Sequence, residues 1–504
     1  MLILPCYSRV GQCLRDASGM MNKPLYSVLL PDRIFRLITA LLLLVLSALT
    51  FNARAQTLTN LWSFTGADGI EPHSLIQGRD GNFYGAAGGG GNVNLNSGSG
   101  WGTVFRMTPT GILTNLHSFS LSDGGSPNLI VQGSDGNFYG TTYQGTNATG
   151  GFGTVFRMSP TGSVTVLWAF GQHPDIDGGA ANPVAGLVQG SDGNFYGTTS
   201  KGGANTDGIV FRISPGGSLT NLHTFNGTDG ADAQWGPLVQ GGDGNFYGVT
   251  SAGGSNNLGN VYRISSNGTF ANLYSFSGSD GRSPDGGLVQ GTDGNFYGTA
   301  SGGGPNGGGT LFRITPAGIL TNLYSFTGGI DGGNPTSLVQ GSDGNFYGTT
   351  FQGGDSTHCS GGCGTIFRIT PSGTFTGLYS FSATDGAKPV AGFVQGSDGN
   401  FYGTTGFVGY PFANAGTIFK LIVPLNPSAN QISAIQTAGN DVAVSIPSVA
   451  YESYQLQFSS SLNPTNWVNV PGAAITNCIG ALLTLTNSGG ATGSQGFYRF
   501  DVTP

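Results

Sequence analysis

The nonapeptide Gln-Gly-x-Asp-Gly-Asn-Phe-Tyr-Gly occurs seven times, and its aspartates (Asp80, Asp135, Asp192, Asp243, Asp293, Asp343 and Asp398) recur every 50 to 57 residues. A unit this short does not bury an apolar face alone, so the copies must pack on one another. The order within a copy is constant. In the sixth, Leu338-Val339-Gln340 reads as strand a, and Ser342-Asp343-Gly344 as a hairpin turn whose glycine suits positive φ. Residues 346–350 read as strand b and 364–370 as strand c; after the turn Pro371-Ser372-Gly373, residues 375–381 read as strand d. Four antiparallel strands per repeat make the blade of a β-propeller.

The two ends of the array are out of phase. A d-type strand at 58–64 has no a, b or c strand before it, and the seventh copy stops at a c-type strand, 416–421. An open β-solenoid leaves that mismatch unexplained. A ring explains it, because the N-terminal strand then completes the seventh blade and pairs an otherwise exposed edge. Composition agrees: 91 glycines of 504 residues, without a three-residue period, exclude collagen, and 32 Phe with 18 Tyr exclude a disordered polymer. The expected fold is all-β, a seven-bladed β-propeller over 56–424 followed by a small C-terminal β-sandwich over 425–504.

Upstream, Arg33 and Arg36 precede an apolar run over 37–49, and Ala53-Arg54-Ala55 offers small residues for cleavage before Gln56. Residues 1–55 therefore read as a signal peptide, and the run is shorter than the roughly 20 residues that span a bilayer. Counted from Met1 this leader is overlong and fits a start at Met20 or Met21. No later segment is apolar enough to cross a membrane. Without the leader, 12 Lys+Arg face 23 Asp+Glu; so acidic a chain is not expected to bind nucleic acid.

The Asp-Gly-Asn-Phe-Tyr-Gly core and the Gly-Thr-Val-Phe-Arg strand resemble the GloVer tandem repeat of exported bacterial proteins with differing C-terminal anchoring modules. The resemblance covers about residues 57–423. It implies export and surface association, and it brings no established enzymatic activity. The chain departs from the family's pattern at its end, which shows no short sorting signal with an apolar helix and basic tail. After the linker Pro424-Leu425-Asn426-Pro427-Ser428, Val442–Ile446 and Tyr454–Phe458 alternate as half-buried strands do. Further strands are expected at 467–470, 482–486 and 497–502. This end is similar to the C-terminal modules of other exported repeat proteins.

The ionisable residues follow the repeat. Beyond the nonapeptide acids, Asp68, Asp123, Asp177, Asp229, Asp280, Asp331 and Asp385 stand before successive a strands. Arg106, Arg157, Arg212, Arg263, Arg313, Arg368 and Lys420 share one site on strand c. Aspartate in turns accepts local backbone hydrogen bonds, and too few further oxygens surround it for a calcium loop. The cations are expected to pair with acids or carbonyls of their own or the next blade. His117 and His223 stand where other copies have Tyr and read as surface residues of strand d.

No nucleophile elbow, phosphate loop or zinc signature is present. Neither a catalytic residue, a cofactor nor a metal is therefore assigned. An exported polysaccharide hydrolase or lyase would need unique carboxylates, for which Glu71, Asp175 and Asp232 are the candidates. Cys359 and Cys363 are expected to close a small disulfide loop, leaving Cys478 odd. The d-to-a and b-to-c connections should share one face of the ring, and they carry Trp101, Tyr143, Phe152, Trp235, Phe351, Phe407, Tyr410 and Phe412. Aromatic rings on Gly/Ser/Asn-rich loops make flat platforms suited to a carbohydrate or a surface protein. A purely architectural envelope role is the alternative.

Overall fold

The computed structural model describes the chain from Thr57 onward, apart from residues 93, 95–98, 146–150, 180, 235, 391–392, 408–414, 423–433, 439–440, 448–452, 460–467, 476–481, 488–496 and 504. The leader, Trp235, Tyr410, Phe412 and Cys478 thus lie outside the described residues. The remainder is all-β, and among the described residues the one helix is the single turn Pro174–Asp177. No described helix is long and apolar enough to cross a membrane.

Seven antiparallel sheets correspond to the seven repeats. Blade 2 shows the plan, with Gly125–Gln132 (a), Phe138–Gln144 (b), Thr154–Met158 (c) and Val164–Ala169 (d) hydrogen-bonded in that order. Strand b is buried along Phe138–Thr142, and strand c is buried except at its arginine. Strand d, at the outer edge, is half-buried along its length apart from exposed Thr165. Strands packed on both faces carry continuous apolar runs, whereas a strand with one free face carries polar residues on it.

The seventh sheet decides the topology. Ala387–Pro389 and Val394–Gln395 supply its inner strand a, Phe401–Phe407 strand b and Thr417–Ile422 strand c. Its outer strand is the N-terminal Thr57–Ser63, antiparallel to strand c from Thr57 opposite Ile422 to Ser63 opposite Thr417. The ring closes as the out-of-phase ends require.

Two further rings hold the blades together, and both come from the nonapeptide. The tyrosine of each copy stacks on the phenylalanine of the next, with centroids 3.8 to 4.3 Å apart, and Tyr402 on Phe83 at 4.1 Å completes the circle. Such pairs add about 0.5–1.5 kcal/mol each beyond burial. The glutamine side chain accepts a backbone N–H from the preceding blade at 2.8 to 3.0 Å, from Arg79 N–H to Gln132 round to Ser397 N–H to Gln77. Its Nε2 donates to the carbonyl of the Asp-Gly turn in its own blade.

Glycine is required at two places in this unit. In the Asp-Gly turns φ is +78° to +85°, where L side chains are strained. In Phe-Tyr-Gly the next blade strand leaves no room: a Cβ on Gly85 would sit 2.3 Å from Phe105 Cζ.

Beyond the ring, Ala434–Ala438, Asp441–Pro447 and Leu482–Asn487 form one three-stranded antiparallel sheet. Val468–Ile475, Ser453–Ser459 and Phe497–Thr503 form a second. Ala434–Ala438 was not legible in the sequence pattern.

Candidate functional site

The repeated acids are fully engaged inside their own blades. Asp80 Oδ1 accepts the Asn82 N–H at 3.1 Å, while Oδ2 takes Asn82 Nδ2 and the Tyr84 hydroxyl at 2.8 Å each, and the other six copies repeat this set. Partial burial pushes the Asp80 carboxyl up, but the hydrogen bonds from Asn82 and Tyr84 win and hold it below its ordinary value. Burial and the neighbouring carboxylate push Tyr84 up to about 12. The strand-c cations behave as expected where their partners are visible. Lys420 Nζ meets Asp398 Oδ2 of its own blade at 2.8 Å, and Arg212 Nη1 reaches the Ser266 carbonyl of the next at 3.4 Å.

The second set of acids bonds to the aromatic or imidazole near the end of the preceding strand d. Asp68 accepts from Trp62 Nε1 at 2.8 Å, Asp331 from the Tyr324 hydroxyl at 3.0 Å, and Asp280 and Asp385 from Tyr274 and Tyr379. His117 and His223 meet Asp123 and Asp229 at 2.8 and 3.1 Å, with side chains only 20% and 18% exposed. They are therefore half-buried members of this motif, not free surface residues. The imidazole replaces the phenol because both present a hydrogen-bonding edge at the same depth.

Once the repeated residues are set aside, what varies lies on one face. The d-to-a and b-to-c connections bond directly: Gly91 N–H to the Gly66 carbonyl at 2.9 Å, Gly254 to Gly227 at 2.9 Å and Gly304 to Gly278 at 2.8 Å. Three residues after the loop aspartate, Glu71, Ser126, Asp232, Ser283, Asn334 and Lys388 all adopt φ of +50° to +59°. From Ser126 onward their N–H groups bond a b-to-c carbonyl of the preceding blade, such as Trp101 at 2.8 Å and Cys363 at 2.8 Å. Non-glycine residues pay about 1–3 kcal/mol for that conformation. A common backbone geometry thus presents six side chains of five kinds. Nothing in the spacing announced it.

The aromatic candidates divide. Tyr143, near the end of strand b of blade 2, and Phe152, on the connection that follows, are 41% and 40% exposed. Trp101 is half-buried against the core between blades 1 and 2. Phe351 is half-buried, with Lys388 Nζ 5.1 Å from its ring centroid, and Phe407 packs on the core around the disulfide. That disulfide joins Cys359 and Cys363, with Cα atoms 5.1 Å apart. Lys388 Nζ spans its loop by donating to the Gly362 and Ser360 carbonyls at 2.9 and 3.2 Å.

Of the unique acids, Asp232 and Asp285 of adjacent blades come together. Burial raises Asp285 to about 6, the Ser301 hydroxyl at 2.8 Å opposes this, and the Asp232 charge adds to the rise. Glu71, on the short strand Ile70–Pro72, and Asp175, on the helical turn, are exposed. Among the described residues no cluster of three or more His, Cys, Asp or Glu is arranged to hold a metal ion.

A single repeat family accounts for this ring. The model of the Gloeobacter/Verrucomicrobia repeat matches residues 48–242, 173–359 and 233–450. The chain belongs to that family. Its match ends within the C-terminal sheets, so the family covers the propeller and little beyond it. No curated protein matches the chain. Among solved structures, the extracellular domains of two putative hybrid two-component systems from B. thetaiotaomicron are similar. One is 10% identical with a TM-score of 0.48, covering 85% of this chain and 53% of that one. The other is 11% identical with a TM-score of 0.48, covering 88% and 59%. This chain therefore spans little more than half the length of either. A putative oxidoreductase (glucose dehydrogenase) from Thermus thermophilus is 14% identical with a TM-score of 0.40, covering 73% and 100%. None of these likenesses bears on activity.

Proposed function

We propose that this member of the repeat family is an exported, non-catalytic binding propeller that offers the face of its variable connections to a carbohydrate or a surface protein. The observation that carries the reading is the exposure of Tyr143 and Phe152 on the face where the d-to-a and b-to-c connections bond to one another. Ile330, 77% exposed, lies on a d-to-a connection of the same face. A rigid scaffold with large exposed side chains loses little entropy on binding. Ile112 and Ile319 are also exposed, but they sit at the ends of the c-to-d turns and not on the variable connections. Trp235 and Tyr410 lie outside the described residues and are proposed for this face from their place in the sequence; Trp101 and Phe351 border it as supports. Residues 1–55 are taken as the signal that exports the chain, and 425–504 as a β-sandwich module that follows the 56–424 ring.

A glycan-binding screen on the mature protein, with and without residues 425–504, tests this. Tyr143→Ala and Phe152→Ala should each weaken the binding found there about tenfold or more, with melting unchanged. Lower melting with unchanged binding would assign both rings to packing. A second reading, hydrolysis at Asp232 and Asp285, is favoured by the raised carboxyl of Asp285, which suits a general acid near neutral pH. It requires glycan cleavage that Asp285→Asn abolishes.

A further inference from the structure

One connection differs from the other six. In those blades the loop acid follows its strand-d partner by six or seven residues, as Asp123 follows His117 and Asp331 follows Tyr324. Between blades 2 and 3 the chain inserts the turn of helix Pro174–Asp177, so Asp177 stands nine residues past Trp168. Buried Asp177 instead accepts the N–H groups of Gly171 and Gly179 at 3.0 and 2.9 Å. Trp168 Nε1 is left buried without a partner. His173, carried outward by the insert, lies against the Trp168 ring with centroids 4.4 Å apart.

The helical turn rests on the outer strand of blade 3, Leu219–Thr224. There Asn221 Nδ2 donates to the Ile176 carbonyl at 3.2 Å and to Thr224 Oγ1 at 3.0 Å. The equivalent amides of Asn115, Asn272 and Asn322 donate to the serine three residues on at exposed positions. Under the insert, Asn221 Oδ1 is buried and unpartnered. Buried polar atoms are nearly always satisfied, so the orphan Asn221 acceptor marks a place where a bound group could supply what the fold does not. Turn and strand bound an open groove of about 600 Å³, lined by Asp175, Ile176, Thr220, Asn221, Leu222 and His223.

We propose that this groove is a subsite for a neutral oligosaccharide, with a sugar ring seated between the helical turn and the outer strand of blade 3. The lining matches a sugar's two characters. Ile176 provides apolar surface for the C–H face of a pyranose. The exposed Asp175 carboxylate can accept two adjacent hydroxyls, Thr220 can donate or accept, and Asn221 Oδ1 is an acceptor at the floor. The lining carries no Lys or Arg, and the His223 imidazole is committed to Asp229 and stacked on Phe270 at 3.8 Å. An anionic ligand would therefore meet only the Asp175 charge. The volume lies within the range of small-molecule sites. The site lies where one d-to-a connection folds over the outer strand of blade 3, and it does not require Tyr143 or Phe152.

The test is calorimetric titration of the full chain with neutral gluco-, galacto- and manno-configured trisaccharides, alongside a lysine-containing tripeptide. Asp175→Asn, Thr220→Val, and Tyr143→Ala as the loop-face control are titrated in parallel. The expected result is binding of at least one trisaccharide that weakens tenfold or more in Asp175→Asn, since hydrogen bonds to a charged acceptor are the strong ones. Thr220→Val should weaken it severalfold, while Tyr143→Ala and all melting temperatures stay unchanged. Asp175 and Thr220 are exposed, so neither variant should perturb folding. Three outcomes overturn the proposal: no trisaccharide binds at millimolar concentration, binding is insensitive to both groove variants, or the tripeptide alone binds in an Asp175-dependent way.

Discussion

Closure of the ring predicts that the N-terminal blade strand behaves as an internal part of the fold. Phe64, just past that strand, is 3% exposed and packs edge-on against Phe105 of blade 1 with centroids 5.3 Å apart. Phe119, which follows strand d of blade 1, is fully buried and meets Phe156 of blade 2 at the same 5.3 Å. Truncating a buried phenylalanine to alanine costs about 3–5 kcal/mol. With an unfolding entropy of about 2.1 cal/mol/K per residue, a ring of this length melts roughly 1.3 °C lower for each kcal/mol lost. Phe64→Ala and Phe119→Ala should therefore both lower the melting temperature by about 4–7 °C. Deleting residues 56–64 removes the pairing to Thr417–Ile422 together with the packing of Leu58, Leu61 and Trp62. That loss approaches the whole stability of an ordinary domain, about 5–15 kcal/mol, and should leave the protein insoluble or without a cooperative transition. Thermal melts followed by circular dichroism read all three variants. If Phe64→Ala is mild while Phe119→Ala is severe, the N-terminal blade is frayed, and the closure argument fails.

Gln77→Leu at the closure and Gln240→Leu inside the ring each remove a bond to a backbone N–H of the preceding blade that water can reach, so each should cost about 0.5–1.5 kcal/mol, read by thermal melts. Burial lowers His73 to about 4, below its unfolded value of 6.5, so the unfolded chain binds the extra proton between those values. Stability present above pH 6.5 is then lost as pH falls towards 4, on the order of 2–3 kcal/mol, and His73→Gln should flatten the melting curve across that window. Asp285 has the opposite sign: its raised folded value makes it a cost above pH 6, so Asp285→Asn should stabilise the protein at pH 7.5 by on the order of 2 kcal/mol and have no effect at pH 3. Reducing Cys359–Cys363 should lower stability by about 2 kcal/mol, the entropy expected for so short a loop, with intact mass rising by two hydrogens.

Seven copies of one nonapeptide determined the strand order, the turns and the number of blades, because each of those depends on contacts between residues close in sequence. Even ring closure was legible, since a d-type strand at 58–64 has nowhere else to pair. The disulfide followed from five residues, Cys359 to Cys363. What the tertiary structure decided are contacts between residues some 50 positions apart that look alike in every copy. Gln77 and Tyr84 recur as faithfully as Asp80, but repetition alone does not say that the glutamine caps the preceding blade or that the tyrosine stacks on the next. The same limit hid the bonding of His117 and His223, whose partners become neighbours only when strand d meets the following loop. The groove beside Asp175 lay further from view. It exists because one insertion lengthens a loop that elsewhere satisfies its own donors, and the unpaired Trp168 and Asn221 atoms arise only when that turn settles on the strand of another blade.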